Sequence, residues 1–281
     1  MAEEITTRGS KREGSPGRKA PRMYRKVPCI RVTDGTPEEI LHDVIEEIPY
    51  ALFVNGRHMM TAMLSPEGLE DFVTGFLFTE QVIKSAEEIE SIKIEKNRIS
   101  VITTNLFKVL GPKKTILSGC GGAASYIDPE KLPIINSDFR TTNTIISDIL
   151  KSTLRNEIHR VTGGVHVVAL AGPQQIITIA EDIGRHNALD RVIGFALRKG
   201  IDLSHTFVIV SGRISSEMVR KCLVAHIPLI ASRGATTTLS LEIAEKNGLT
   251  VVGFVRGSNM NIYTNPGRVT VEKREARALP E

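Results

Sequence analysis

Two sets of residues in this sequence are placed for chemistry: one cysteine ringed by glycine, and four arginines that each follow an apolar run. The cysteine is Cys120, in Leu117-Ser118-Gly119-Cys120-Gly121-Gly122-Ala123. Glycine lacks a Cβ, so it reaches positive φ and lets another molecule approach the backbone. Its free amides can also stabilise an anion on sulfur, which lowers a thiol pKa and raises its reactivity. On these residues alone Cys120 is either a reactive thiolate or a cysteine caught in a glycine-rich turn.

The arginines stand in Glu181-Asp182-Ile183-Gly184-Arg185-His186-Asn187, Ser211-Gly212-Arg213, Ser232-Arg233-Gly234-Ala235-Thr236-Thr237 and Arg256-Gly257-Ser258-Asn259. A guanidinium offers a planar fork of donors suited to phosphate. Hydroxyls and helix N-terminal amides add neutral donors of the same kind. Arg185, Arg213, Arg233 and Arg256 therefore suit a pyrophosphate or nucleotide. The alternative is that they pair with Glu181, Asp182 or Glu217 and pin loops to a sheet. Asp182 also reads as a helix N-cap. His186 and Asn187 fall on the first helical turn, facing either a base or ribose, or solvent.

The elements that position these residues follow from periodicity. Val27–Val32 reads as a strand holding Cys29 as a small buried hydrophobe. Tyr50–Val54 and Arg57–Leu64 flank Asn55-Gly56, a hairpin signal. Ser65-Pro66-Glu67 predicts a capped helix start, with Leu69, Phe72, Val73, Phe76 and Leu77 inward. Ile89–Glu95 and Ile99–Thr104 form a second hairpin, and Lys114–Leu117 a short strand before Cys120. Thr142–Asn156 is a helix with Ile145, Ile146, Ile149, Leu150 and Leu154 inward.

Strand and helix then alternate. The strands are Val165–Leu170, Ile176–Ala180, Thr206–Val210, Pro228–Ala231 and Thr250–Val255; the helices are Asp182–Leu197, Ser215–His226 and Thr236–Lys246. Apolar strands without polar alternation imply a sheet covered on both faces, so this part reads as a three-layer α/β unit with a mainly parallel sheet. Ligands of such sheets bind beyond the strand carboxyl ends, where all four arginine stretches fall. Cys222 lies on a helix face with Met218, Val219 and Leu223, as core.

The chain of 281 residues carries a net charge of +4. The first 26 residues hold eight Lys and Arg against three Glu, so the basicity belongs to a Gly-, Ser- and Pro-rich leader, a solvated segment rather than a weak nucleic-acid contact, and the folded part gives no electrostatic case for nucleic acid. This leader is expected to be disordered. No apolar run is long enough to span a membrane, and the leader is no secretory signal. Three scattered cysteines fit a reducing cytoplasm rather than a disulfide framework. There is no G-x-x-x-x-G-K-[ST] for a P-loop, no G-x-G-x-x-G after a strand, no H-x-E with P-C-x-x-C, and no paired histidine spacing, so no metal site is expected.

Ser118-Gly119-Cys120-Gly121, Glu181 through Asp190 (EDIGRHNALD), Ser211-Gly212-Arg213, Ser232-Arg233-Gly234-Ala235 and Gly253-Phe254-Val255-Arg256 together resemble the formate dehydrogenase accessory sulfurtransferase family, FdhD, from about residue 25 to 265. The resemblance implies a cytoplasmic homodimeric sulfurtransferase. It would take sulfane sulfur from a cysteine desulfurase as a persulfide on Cys120 and deliver it to the bis-molybdopterin guanine dinucleotide cofactor of formate dehydrogenase, with GDP as a partial mimic. It implies a C-terminal domain of cytidine-deaminase-like fold without zinc. Phe254, Val255, Arg256, Gly257, Ser258 and Asn259 match the cofactor-binding stretch. Asp182, Arg185, His186 and Asn187 fall in the family signature, and Arg213 and Arg233 complete the anion crevice. Some members carry a second cysteine three positions from the first; this chain has none there, so sulfur would rest on Cys120 alone. The expected division is a tail at 1–25, an α+β domain at 26–135, an α/β domain at 136–265 and a second tail at 266–281. Two other readings stay open: a non-catalytic chaperone binding the molybdenum cofactor, and a nucleotide-binding enzyme acting on a free small molecule.

Overall fold

A computed structural model describes residues 22–105 and 131–272. Cys120 and the strand expected at Lys114–Leu117 lie outside the described residues. The first elements, β1 (Tyr24–Thr33) and β2 (Thr36–Ile45), form an antiparallel ribbon in unbroken register from Tyr24 opposite Ile45 to Thr33 opposite Thr36. Asp34 and Gly35 close it at φ of 51° and 80°. The strand expected at Val27–Val32 is present, but Cys29 is exposed rather than buried. The ribbon is a two-stranded sheet of its own, so among the described residues alternation along β1 meets no layer that would cover Cys29 or Ile30, Val32 and Leu41.

A four-stranded sheet follows, in order β4-β3-β6-β5. β3 (Ile48–Val54) and β4 (Arg57–Leu64) are joined through Asn55 and Gly56, both at positive φ, as a type I′ turn requires. Helix α1 (Leu69–Thr79) covers the sheet. β5 (Ile89–Glu95) and β6 (Arg98–Thr103) complete it, with β6 parallel to β3. Leu69, Phe72, Val73, Phe76 and Leu77 pack on Leu52, Val54, Leu64, Ile99 and Val101, the face that helical spacing predicts. The helix start differs from expectation. Gly68, left-handed at φ 58°, precedes α1 with no side-chain cap. Ser65 is buried and its backbone is engaged elsewhere: its N–H donates to Asp182 Oδ2 at 3.2 Å and its carbonyl accepts from Arg191 at 2.8 Å.

The rest of the chain builds three layers. β7 (Thr141–Thr142) leads into α2 (Asn143–Thr153), whose N-cap Thr142 accepts from Ile145 N–H. α2 stops short of the expected Asn156, because a new helix, α3 (Glu157–Thr162), starts after it. β8 (His166–Ala171), β9 (Ile176–Asp182), α4 (Arg185–Arg198), β10 (Phe207–Val210), α5 (Ser216–Val224), β11 (Leu229–Ser232), α6 (Thr238–Lys246), β12 (Thr250–Arg256) and β13 (Asn259–Thr264) follow. Their sheet runs β13-β12-β11-β10-β8-β9.

Only β10, β11 and β12 are mutually parallel. The other three pairings are antiparallel, so the sheet is mixed rather than mainly parallel. The cause is connection length: turns as short as those joining β8 to β9 and β12 to β13 can only return the chain antiparallel. Both faces are covered nevertheless. Leu189, Val192, Met218, Cys222 and Leu223 pack on Val168, Val208 and Ile230 on one side. Ile146, Ile149 and Leu150 pack on Ala169, Ile209 and Val252 on the other. Cys222 is fully buried, as expected. The C-terminal segment, expected to be a tail from 266, is folded as far as 272: Arg268 donates to Gly248 O at 2.6 Å, and β14 (Val269–Thr270) pairs with β7.

The four-stranded and six-stranded sheets are joined by α1 crossing α4 backbone to backbone. A Cβ on Gly75 would sit 1.8 Å from Asp190 O, and one on Gly194 1.9 Å from Asp71 O. Arg198 pairs with Glu70 and Asp71 at one end of the crossing. At the other, buried Lys221 donates to both Asp190 oxygens at 2.9 Å and to Thr79 Oγ1 at 3.0 Å, while Arg220 holds Thr79 O and Glu80.

Candidate functional site

The four arginine stretches all follow strands at one edge of the six-stranded sheet. β10 and β11 end there at Val210 and Ser232; β9 ends there at Asp182, and antiparallel β8 begins there at His166, opposite Asp182. The turns after the parallel strands are stitched together. Ser232 Oγ donates to Gly212 O at 2.6 Å and accepts from Gly234 N–H at 2.8 Å. Ile214 N–H reaches Ala235 O, and Phe254 N–H reaches Gly234 O, each at 3.0 Å. A Cβ at Gly234 would press on Arg213 N and Gly212 C at 3.3 and 3.4 Å, so these turns touch through backbone.

Asp182 does not cap α4, contrary to expectation. It is fully buried at the end of β9, three residues before the helix. Oδ1 accepts from Gly184 N–H and Asn187 Nδ2, both at 2.9 Å. Oδ2 accepts from Ser65 N–H and lies 2.6 Å from Arg191 Nη2. Its acceptor capacity is spent tying α4 to the segment before α1. Asn187 joins the same knot, its amide also donating to Met63 O at 3.1 Å. The arginine pairing weighed for Asp182 exists, but with Arg191, which sequence reasoning did not single out.

Arg185, Arg213, Arg233 and Arg256 make no ion pair among the described residues. Arg213, Arg233 and Arg256 are exposed, whereas Arg185 is half-buried with its Nε enclosed and unpartnered among the described residues. Two histidines flank it. His186 Nε2 lies 3.3 Å from Ser215 Oγ and 3.5 Å from Glu217 Oε2, so the weighed partner Glu217 goes to the histidine. Burial, then the Arg185 charge, holds His186 down to about 3, which leaves it neutral. His166, which sequence reasoning missed, has Nδ1 3.4 Å from Ser211 Oγ. Burial, then the Arg185 and His159 charges, lowers its pKa against the opposing pull of Asp182. Its place at the edge depends on β8 running antiparallel to β10, which no local motif announces.

The segment Phe254–Asn259 divides in two. Val255 is buried with Phe139, Val252 and Val269 and belongs to the core. Arg256, Gly257, Ser258 and Asn259 form the exposed tip of the β12–β13 hairpin, and Gly257 O accepts from Ser147 Oγ of α2. Phe254 is partly exposed and left-handed, at φ 52°. Among the described residues no group of three or more His, Cys, Asp or Glu is placed to hold a metal, and no helix is long and apolar enough to cross a membrane.

Residues 45–270 match the model of the FdhD/NarQ family. The chain belongs to that family. An FdhD/NarQ relative from Sulfolobus acidocaldarius, named sulfur carrier protein FdhD, is 34% identical over 251 residues, covering 88% of this chain and 99% of its own. A protein of the same name from Wolinella succinogenes is 36% identical over 261 residues, covering 88% and 90%. The crystal structure of a putative formate dehydrogenase accessory protein from Desulfotalea psychrophila superposes with a TM-score of 0.73 at 28% identity, covering 89% of this chain and all of that one. The sheet edge described above therefore belongs to an FdhD/NarQ fold.

Proposed function

We propose that this chain is a sulfur carrier that accepts sulfane sulfur from a cysteine desulfurase as a persulfide on Cys120. It passes that sulfur to the bis-molybdopterin guanine dinucleotide of a formate dehydrogenase. The observation that carries the reading is a sheet edge bearing four arginines without ion pairs among the described residues, in a chain whose relatives are named sulfur carriers. Such an edge suits the phosphates of a guanine dinucleotide, which arrives as the substrate. Glycines at 212, 234 and 253 let the turns that carry these arginines pack closely on one another and on His166 and Tyr263. In the first step the Cys120 thiolate attacks the outer sulfur of the donor persulfide, a new S–S bond forms, and the donor thiolate leaves. The edge contributes positioning rather than acid–base chemistry. The family resemblance supports a cytoplasmic homodimer as the working assembly.

The test is Cys120→Ala. The variant should lose the mass gain of about one sulfur after incubation with desulfurase and cysteine, lose formate dehydrogenase activation, and still bind GDP. Retained activation would instead support the non-catalytic chaperone, and turnover of free nucleotides the small-molecule enzyme.

A further inference from the structure

We propose that His166, Arg185 and the Ser211–Gly212 turn form a proton-linked anion subsite, which grips one phosphate of a pyrophosphate-bearing ligand while the imidazole takes up a proton from solvent. The proposal rests on the reading that this edge holds a guanine dinucleotide, and it assigns the binding step to particular atoms.

Three observations converge on it. Arg185 carries a charge that no carboxylate offsets among the described residues, and its enclosed Nε has no partner there. An anion beside this guanidinium would therefore meet a charge that nothing described already neutralises. Gly212 is the second. A Cβ there would lie 2.9 Å from the His166 ring and 3.5 Å from Arg185 Cδ, so glycine is what allows the imidazole and the guanidinium to meet over one turn. The third is the hydrogen bonding of Ser211. Its Oγ accepts from Val167 N–H at 2.9 Å, which leaves the hydroxyl proton to donate to His166 Nδ1. Neutral His166 then carries its own proton on Nε2. When Nδ1 gains a proton the relation reverses: Nδ1 donates to Ser211 Oγ, and the hydroxyl is freed to donate to the anion.

The charges facing His166 are those of Arg185 on α4, His159 on α3 and Asp182 on β9, the last already bound to Arg191. Without ligand, burial and Arg185 favour the neutral imidazole. An entering phosphate adds negative charge beside it and raises its affinity for a proton, so binding and protonation favour each other. Affinity therefore rises as pH falls.

The probe is a GDP-sugar, whose bridging diphosphate does not titrate between pH 6 and 8. Calorimetry of the full chain should show binding about fivefold or more tighter at pH 6 than at pH 8, with net proton uptake when buffers of different ionisation heat are compared. His166→Gln keeps a neutral donor, so it should bind with no proton uptake and a pH ratio near one. Arg185→Gln should weaken binding about tenfold or more at both pH values. Thermal melting of each unliganded variant separates this from misfolding. Wild-type protein that binds with His166→Gln keeping the full pH ratio and proton uptake overturns the subsite alone. Wild-type protein that does not bind the GDP-sugar at all overturns the dinucleotide reading of the edge with it.

Discussion

Replacing Gly194 by alanine should damage this fold far more than one added methyl suggests. The new Cβ would lie 1.9 Å from Asp71 O, where ordinary contact begins at 3.4 Å, so α1 and α4 must part by about 1.5 Å. The obstacle is backbone within a helix, not a side-chain end that can swing aside. A gap of 0.5–1 Å already forfeits roughly a quarter to a half of the dispersion between facing atoms. The same movement pulls Arg198 from Glu70 and Asp71, and Asp190 from Thr79. Alanine returns about 1 kcal/mol through helix propensity. Overpacking of an ordinary core costs about 1–3 kcal/mol; with rigid backbone on both sides the net loss should be about 3–5 kcal/mol. Urea unfolding followed by circular dichroism measures it. A loss under about 1 kcal/mol would mean that the helices slide apart freely and the close crossing is not a constraint. Gly75→Ala, whose Cβ would meet Asp190 O from the other side, should behave alike.

Lys221→Met leaves Asp190, whose carboxyl burial pushes up to about 6, without its cation; the loss should be about 3–5 kcal/mol by denaturant titration, and adding Asp190→Leu should restore part of it. Asp182→Asn should cost a similar about 3–5 kcal/mol by leaving Arg191 unpaired, and a variant with wild-type stability would refute the knot drawn around it. Arg256→Ala should weaken GDP binding about tenfold, or 1.4 kcal/mol, by calorimetry; unchanged affinity would move the site off the hairpin tip. A maleimide should label Cys29 in the native protein and spare Cys222, whose thiol burial pushes up. Labelling of Cys222 before unfolding would contradict its buried placement.

The hairpin at Asn55-Gly56, the inward face of α1 and the strand–helix alternation after residue 165 were legible because each is local: a turn chemistry or a period recorded in neighbouring residues. What escaped was set by distant partners. Cys29 looked buried because alternation was present, yet the layer that would cover it is not part of the ribbon's sheet. Ser65 and Asp182 both looked like helix caps; each instead meets the other, 117 residues apart in sequence. The arginine stretches could be placed at one sheet edge from strand polarity alone. The neighbour His166 could not, because only the antiparallel return of β8 brings it there. Likewise, a period cannot reveal that Val255, inside a segment matched to cofactor binding, turns into the core.

Phe254 carries a consequence for how the protein trades stability against activity. A bulky side chain in the left-handed region costs about 1–3 kcal/mol relative to a relaxed backbone, and glycine there would not. The bond from Phe254 N–H to Gly234 O and the burial of Val255 hold the backbone in that conformation. The ring, partly exposed, returns little of the expense through packing. Phe254→Gly should thus be neutral or stabilising for the fold, while its effect on sulfur delivery reports what the aromatic ring does beyond folding. A variant that folds better yet delivers less sulfur would mark the hairpin as a place where backbone strain is kept for function.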